Sequence, residues 1–196
     1  MNDRDQQFAG YEVLLCVTGG IACIKAASLA SRLVQAGAGV SVAMTEAAQR
    51  FVTPLTFQAL TGRRVFTSLW DAADDYDVQH VGLIDRADLM IVAPATANII
   101  GKIASGVADE LVSTLGMTAT TACAVLLAPA MNTRMWDSPV VQANLAKLVE
   151  MDFATVGPNQ GWLACRTVGM GRMAEPEEIF DAAGKILLAR SPKTAT

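Results

Sequence analysis

The sequence predicts one doubly wound α/β domain, a mainly parallel sheet with helices on both faces in the Rossmann- or flavodoxin-like manner. Three observations carry that prediction. Apolar runs at residues 13–18, 89–92 and 125–127 are continuous rather than alternating, as in strands covered on both faces. Each run stops at Gly19-Gly20, Pro94 or Pro129, and a helical pattern follows it. A length of 196 residues suffices for one sizeable core and falls short of two.

In chain order, residues 1–10 read as a polar N-terminal extension, 11–190 as the domain and 191–196 as a frayed tail. The strand at 13–18 gives way to a helix over 21–35, which Gly37 and Gly39 end. A second strand over 40–44 completes a βαβ opening. The strand at 89–92 is ended by Pro94, and a helix starts near Ala97. Pro129 ends the strand at 125–127, and Asp137-Ser138-Pro139 signals the next helix. A short strand at 154–156 leads into a Gly-rich connection, 157–171, which reads as a lid rather than a packed element. Glu175-Pro176-Glu177-Glu178 then opens a last helix. No internal repeat or linker interrupts this order.

Hydrophobic residues make up 52% of the chain and charged ones 17%, which points to a large core or to surface buried between subunits. Fifteen basic against nineteen acidic side chains give a net charge of −4 with no basic block, so no nucleic-acid partner is expected. No apolar run reaches the roughly 20 residues of a membrane helix. The polar, acidic start is no secretory signal, and a cytoplasmic protein is expected. Cys16, Cys23, Cys123 and Cys165 form no CxxC pair and no metal-like spacing with the one histidine, His80. Free thiols and no metal are expected.

In doubly wound sheets ligands sit outside the carboxyl ends of strands. That rule selects residues 18–22, 45–51, 93–98 and 128–136. In VTGGIA, paired glycines before a helix let backbone amides approach an anion, or simply make a tight turn. Thr45 suits a helix cap or a phosphate or ribityl contact; Phe51 suits the core or the cover of a flat ring. Pro94, Ala95, Thr96, Ala97 and Asn98 combine small residues with donors and acceptors, as a planar ligand requires and as a helix entry also would. A second Ala-Pro-Ala segment brings Ala130, Met131 and Asn132, whose amide can hold a carboxylate or cap a helix. Cys165 sits in the Gly-rich segment beside Arg166, unlike the other three cysteines, which lie in apolar runs. His80, within DYDVQHVGLID, is by itself as compatible with a surface position as with catalysis.

Together TGGIACIK, MTEAAQRFVTPLTFQALTG, the His80 segment, APATANIIGK with GVADELVST, APAMNTRMW and LAC…GMGRMAEP resemble the flavin-containing cysteine decarboxylases, in that family's order and over nearly the whole chain. Within that family the likeness is greatest to the branch that serves coenzyme A synthesis. The resemblance implies an FMN cofactor held by Gly20, Ile21, Ala22, Thr45, Phe51, Pro94, Ala95, Thr96, Ala97, Asn98 and Ala130. It implies His80 and Cys165 as catalytic residues, and Asn132, Met131, Ala164 and Arg166 around the substrate. It also implies homotrimers, or homododecamers built from them, with FMN at subunit boundaries. The chain departs from the family at Arg166, where glycine is usual after the lid cysteine.

What the resemblance implies chemically is decarboxylation of 4′-phosphopantothenoylcysteine through thioaldehyde and enethiolate intermediates. Such a substrate has no electron sink of its own, which is why a cofactor is needed. His80 would act early, as base or as a positioning and charge-stabilising group for oxidation and CO2 loss, and Cys165 would protonate the enethiolate. Peptidyl-cysteine decarboxylases stop before that last step, so the presence of Cys165 favours the coenzyme A branch. A flavin prenyltransferase or a regulatory flavoprotein on the same fold is the alternative; the PAMNTRMW segment and the joint presence of His80, Asn132 and Cys165 weigh against both.

Overall fold

Val13 to Val17 are each at most 1% exposed, so the first predicted strand is indeed covered on both faces. The computed structural model describes residues 6–70 and 79–193. β1 (Glu12–Val17), α1 (Cys23–Gln35) and β2 (Gly39–Met44) form the opening βαβ unit. A one-turn helix α2 (Glu46–Gln49), α3 (Pro54–Thr61) and a two-residue strand β3 (Val65–Phe66) complete the first half. The second half runs α4 (Gln79–Arg86), β4 (Leu89–Ala95), α5 (Ala97–Ala104), α6 (Leu111–Ala119) and β5 (Ala124–Pro129). After these come α7 (Thr133–Trp136), α8 (Pro139–Glu150), β6 (Ala154–Thr155), the pair β7 (Asn159–Trp162) and β8 (Val168–Arg172), and α9 (Pro176–Leu187).

The main sheet is parallel, in the order β3-β2-β1-β4-β5-β6. Alternate residues of each strand serve two cores. Val13, Leu15 and Val17 pack with Leu29, Phe57 and Ile179 from α1, α3 and α9. Leu14 and Cys16 pack with Ile84, Ile99, Leu115 and Leu148 from α4, α5, α6 and α8. Strand order reverses between β1 and β4, and that reversal opens a crevice at their carboxyl ends.

Several elements differ from the sequence reading. Pro94 does not end its strand: β4 continues through it to Ala95, past the last pairing with β1 at Val92, where the register with β5 shifts. A missing N–H costs little at such an irregularity. β5 likewise includes Pro129. The Gly-rich segment is an antiparallel hairpin, β7 with β8, rather than an irregular connection. α3, α4 and α6 were not predicted. α6 is buried on nearly all sides, from Leu111 through Gly116, and so lacks an amphipathic period.

The chain ends are tied in as far as they are described. Phe8 is buried against Phe180, ring centroids 5.1 Å apart. Lys193 N donates to Asp88 Oδ1 at 2.6 Å, and Lys193 Nζ donates to Ala122 O at 3.0 Å. Among the described residues no helix is long and apolar enough to cross a membrane.

Candidate active site

Two adjoining cavities lie at the carboxyl ends of β1, β2, β4 and β5, and Gly20, Ala130 and Met131 line both. The first, of ≈ 710 Å³, is framed by the β1–α1 turn, the start of α2 and the start of α5. The second, of ≈ 310 Å³, lies between the start of α1, the β5–α7 connection and the β7–β8 hairpin.

Strand-end polar groups shape the first cavity. Thr18 Oγ1, almost fully buried, donates to Pro94 O at 2.6 Å and lies 3.2 Å from Thr96 Oγ1, which joins the ends of β1 and β4. Thr45 Oγ1 accepts from Ala48 N at 3.2 Å, and Thr96 Oγ1 from Ile99 N at 3.4 Å. Both threonines therefore cap helices while facing the cavity. The first-turn amides of α5, Ala97 and Asn98, have no intrahelical acceptor and are available to an anion. A Cβ at Gly19 would overlap that of Ala47, whereas one at Gly20 would meet only Thr96 Cγ2 at 3.6 Å. Glycine at 19 thus lets the β1–α1 turn close against α2 and leaves the cavity free. Phe51, half-exposed, Ala130, Met131 and Met135 line the same cavity. A lining that combines hydroxyls and helix-start amides with apolar side chains fits a flat, phosphorylated cofactor of FMN type. The volume lies within the roughly 300–1,000 Å³ range of small-molecule sites.

Asn132 and the hairpin shape the second cavity. Asn132 is the N-cap of α7, and its Oδ1 accepts from Met135 N at 2.9 Å. That bond turns its Nδ2 donors away from the helix, where no described residue receives them. The hairpin is pinned at its base: Met131 N donates to Gly171 O at 2.9 Å, and Thr133 Oγ1 donates to Met170 O at 2.8 Å. Gly171 has φ 126°, and a Cβ there would strike Met131 O, so glycine is required for this approach. The hairpin carries Leu163, Ala164 and Cys165 to the cavity, and Cys165 Sγ lies 3.1 Å from Thr167 Oγ1.

Charge enters through Lys25 and Arg172. Lys25 Nζ and Arg172 Nη2 lie 2.9 Å and 3.6 Å from Glu175 Oε1. The hydrogen bond from Lys25 is the main reason the Glu175 carboxyl is held below its usual range, with both cations adding to it. Burial pushes the Cys16 thiol well above its ordinary value and raises Cys23 as well. These two are packing cysteines.

The sequence-predicted residues therefore divide. Gly20, Thr45, Phe51, Thr96, Ala97, Asn98 and Ala130 line the first cavity. Ile21, Ala22, Asn132, Ala164 and Cys165 line the second, with Gly20, Ala130 and Met131 shared. Pro94 and Ala95 are buried in β4 and act through the backbone, Pro94 by the carbonyl that Thr18 bonds. Arg166 is exposed at the hairpin tip, outside both linings. His80 lies half-buried in the first turn of α4, on the α6 side of the sheet, and lines neither cavity of its own chain. The acidic stretch before it, 75–78, lies outside the described residues. Sequence reasoning placed Thr18 in a ligand-edge segment without giving it a role, and it missed Glu110, Lys25 and Arg172. Glu110 rims the first cavity while its carboxylate caps α6 through Val112 N and Ser113 N at 3.0 and 2.7 Å. Its place before a helical run was a capping signal. Among the described residues no cluster of three or more His, Cys, Asp or Glu is arranged to hold a metal ion.

The sequence pattern of the Flavoprotein family matches residues 1–187. Over 173 residues the chain is 50% identical to the coenzyme A biosynthesis bifunctional protein CoaBC of Bacillus subtilis (strain 168), covering 88% of this chain and 42% of that protein. With the CoaBC of Escherichia coli (strain K12) it shares 45% over 175 residues, 89% of this chain and 43% of that one. The chain thus spans less than half the length of these curated relatives. Among solved structures, a PPC decarboxylase mutant complexed with pantothenoylaminoethenethiol aligns with a TM-score of 0.79 and 30% identity, over 88% of this chain and 96% of that one. The FMN-binding protein AtHal3 aligns with a TM-score of 0.78 and 29% identity, over 93% and 99%.

Proposed function

Because this chain belongs to the Flavoprotein family, we propose that it decarboxylates 4′-phosphopantothenoylcysteine to 4′-phosphopantetheine in coenzyme A biosynthesis, with FMN as cofactor. One observation carries the reading. Asn132 and Cys165, an amide and a thiol, line one cavity, and that cavity shares Gly20, Ala130 and Met131 with the cofactor-sized one beside it. The names and identities of the relatives support the same reading.

FMN supplies reversible two-electron chemistry at the substrate CH2–SH carbon, which gives the electron pair left by CO2 a C=S acceptor. The chain's own residues do the rest. The Asn132 Nδ2 donors hold the substrate carboxylate, and the cap to Met135 N fixes their direction. His80 takes the substrate thiol proton early in the reaction. Cys165 Sγ delivers a proton to the enethiolate carbon at the end, carried there by the hairpin. Leu163 and Met173, both buried, and Trp162 add apolar lining to the same cavity. The enzyme is a cytoplasmic carboxy-lyase that assembles as a homotrimer, or as a dodecamer of trimers, with FMN at subunit boundaries. Exposed Val107, Met135 and Val140 beside the first cavity are suited to burial there.

The test is an assay of purified protein carrying flavin. CO2 release from 4′-phosphopantothenoylcysteine, with 4′-phosphopantetheine as product, is expected. Cys165→Ser should still release CO2 and should accumulate the oxidised enethiol in place of phosphopantetheine. Normal phosphopantetheine yield from that variant would remove Cys165 from its role.

A further inference from the structure

Arg166 sits at the tip of the β7–β8 hairpin in a backbone conformation that favours glycine. Arg166 N donates to Leu163 O and Leu163 N donates to Thr167 O, each at 2.9 Å, which makes a three-residue loop ending in a bulge. The bulge residue is Arg166, with φ 63°. An L side chain enters this region against steric resistance, so a long cation retained there calls for a use. Its side chain is exposed and has no hydrogen-bond or ion-pair partner among the described residues.

The neighbourhood says what that use is. Leu163, Ala164 and Cys165, the three residues before it, all line the second cavity. The charged residues lining this cavity are both cations, Lys25 and Arg172. They share one carboxylate, Glu175, while Arg172 Nε stays buried without a partner. Lys25 and Arg172 line the cavity while the Glu175 carboxylate they share does not, and Arg166 at the hairpin tip adds a further positive charge. A phosphate monoester carries about −1.5 to −2 near neutral pH, and the guanidinium fork matches its oxygens. The substrate's carboxylate is the share of Asn132, so the anion left for this cluster is the one at the far end.

We propose that Arg166 binds the terminal phosphate of the substrate and makes the chain selective for the phosphorylated form. The inference rests on the decarboxylase reading above and adds a specificity residue to it. The guanidinium follows Cys165 at the tip of the hairpin that walls a cavity already biased towards an anion.

The test compares 4′-phosphopantothenoylcysteine with pantothenoylcysteine, for wild type, Arg166→Gly and Arg166→Lys. Arg166→Gly should raise KM for the phosphorylated substrate about tenfold or more, the value of one charge-assisted contact, with kcat little changed. KM for the dephosphorylated substrate should not move, and Arg166→Lys should recover part of the loss. Since Gly suits the backbone, Arg166→Gly should melt no lower than wild type. An equal KM rise for both substrates, or none for either, overturns the proposal and leaves the decarboxylase intact. No CO2 from either substrate with wild type overturns the decarboxylase reading itself, and this inference with it.

Discussion

Asn132 shows how one side chain can satisfy two demands. Its carbonyl oxygen caps α7, and its amide hydrogens are thereby aimed outward into the second cavity. Asn132→Asp keeps the capping acceptor and replaces the donors with a second carboxylate facing that of the substrate. The expected result is a melting temperature within about 2–4 °C of wild type, the equivalent of ~1 kcal/mol in a chain of this size. CO2 release should fall at least ~100-fold. A variant that turns over normally would return Asn132 to capping alone. Thr45 and Thr96 face the same pair of demands at the first cavity. At all three positions the capping and binding readings of the sequence are compatible, because a cap uses one acceptor of a group that has more to offer.

At the scale of elements, the hairpin and the start of α1 frame the second cavity, and a short charge network joins α1 to the N-terminal end of α9. Glu175 opens α9 in a capping box with Glu178 and receives Lys25 from α1. Its carboxyl is held below the usual range, first by the Lys25 hydrogen bond and then by the charges of Lys25 and Arg172, with burial opposing. A lowered carboxyl contributes stability above its unfolded pKa, about 4.3, and loses it as pH falls through the folded value. Lys25→Met should therefore lower the melting temperature at pH 7, and the gap to wild type should close towards pH 3. A gap that stays constant across this range would assign the effect to packing of the lysine stem. The side chains are 27% and 39% exposed, so the gap at pH 7 is expected to be small. The hairpin itself was legible only as a Gly-rich segment: Asn159 to Trp162 alternate in exposure, but the half-buried positions hold Asn159 and Gly161, so the sequence shows no apolar–polar alternation. Gly171 was visible as a glycine, but the close approach to Met131 O that demands it links residues forty positions apart in the chain.

At the scale of the molecule, His80 stands at the start of α4 while Asn132 and Cys165 stand at a cavity that His80 does not line. In the trimer proposed above, a cavity at a subunit boundary would be completed by His80 of the partner subunit. Trimers of His80→Asn and of Asn132→Asp should each be inactive. Dissociating and reassembling them together should restore CO2 release, because some boundaries then carry one intact residue from each side. Mixed trimers that stay inactive would confine the site to one chain. The sequence by itself determined the parallel α/β class, because strands buried on both faces must be continuously apolar, and the strand-end segments that line the two cavities, because ligands meet such sheets at their carboxyl edge. It also pointed to Asn132 and Cys165 through ordered motifs. Only the tertiary structure decided that Pro94 lies inside β4, that Thr18 ties β1 to β4, and that Lys25 and Arg172 share Glu175. Each of these depends on a contact between residues far apart in the chain. Local pattern reports which face a residue turns inward, and only the packed sheet reports what it meets there.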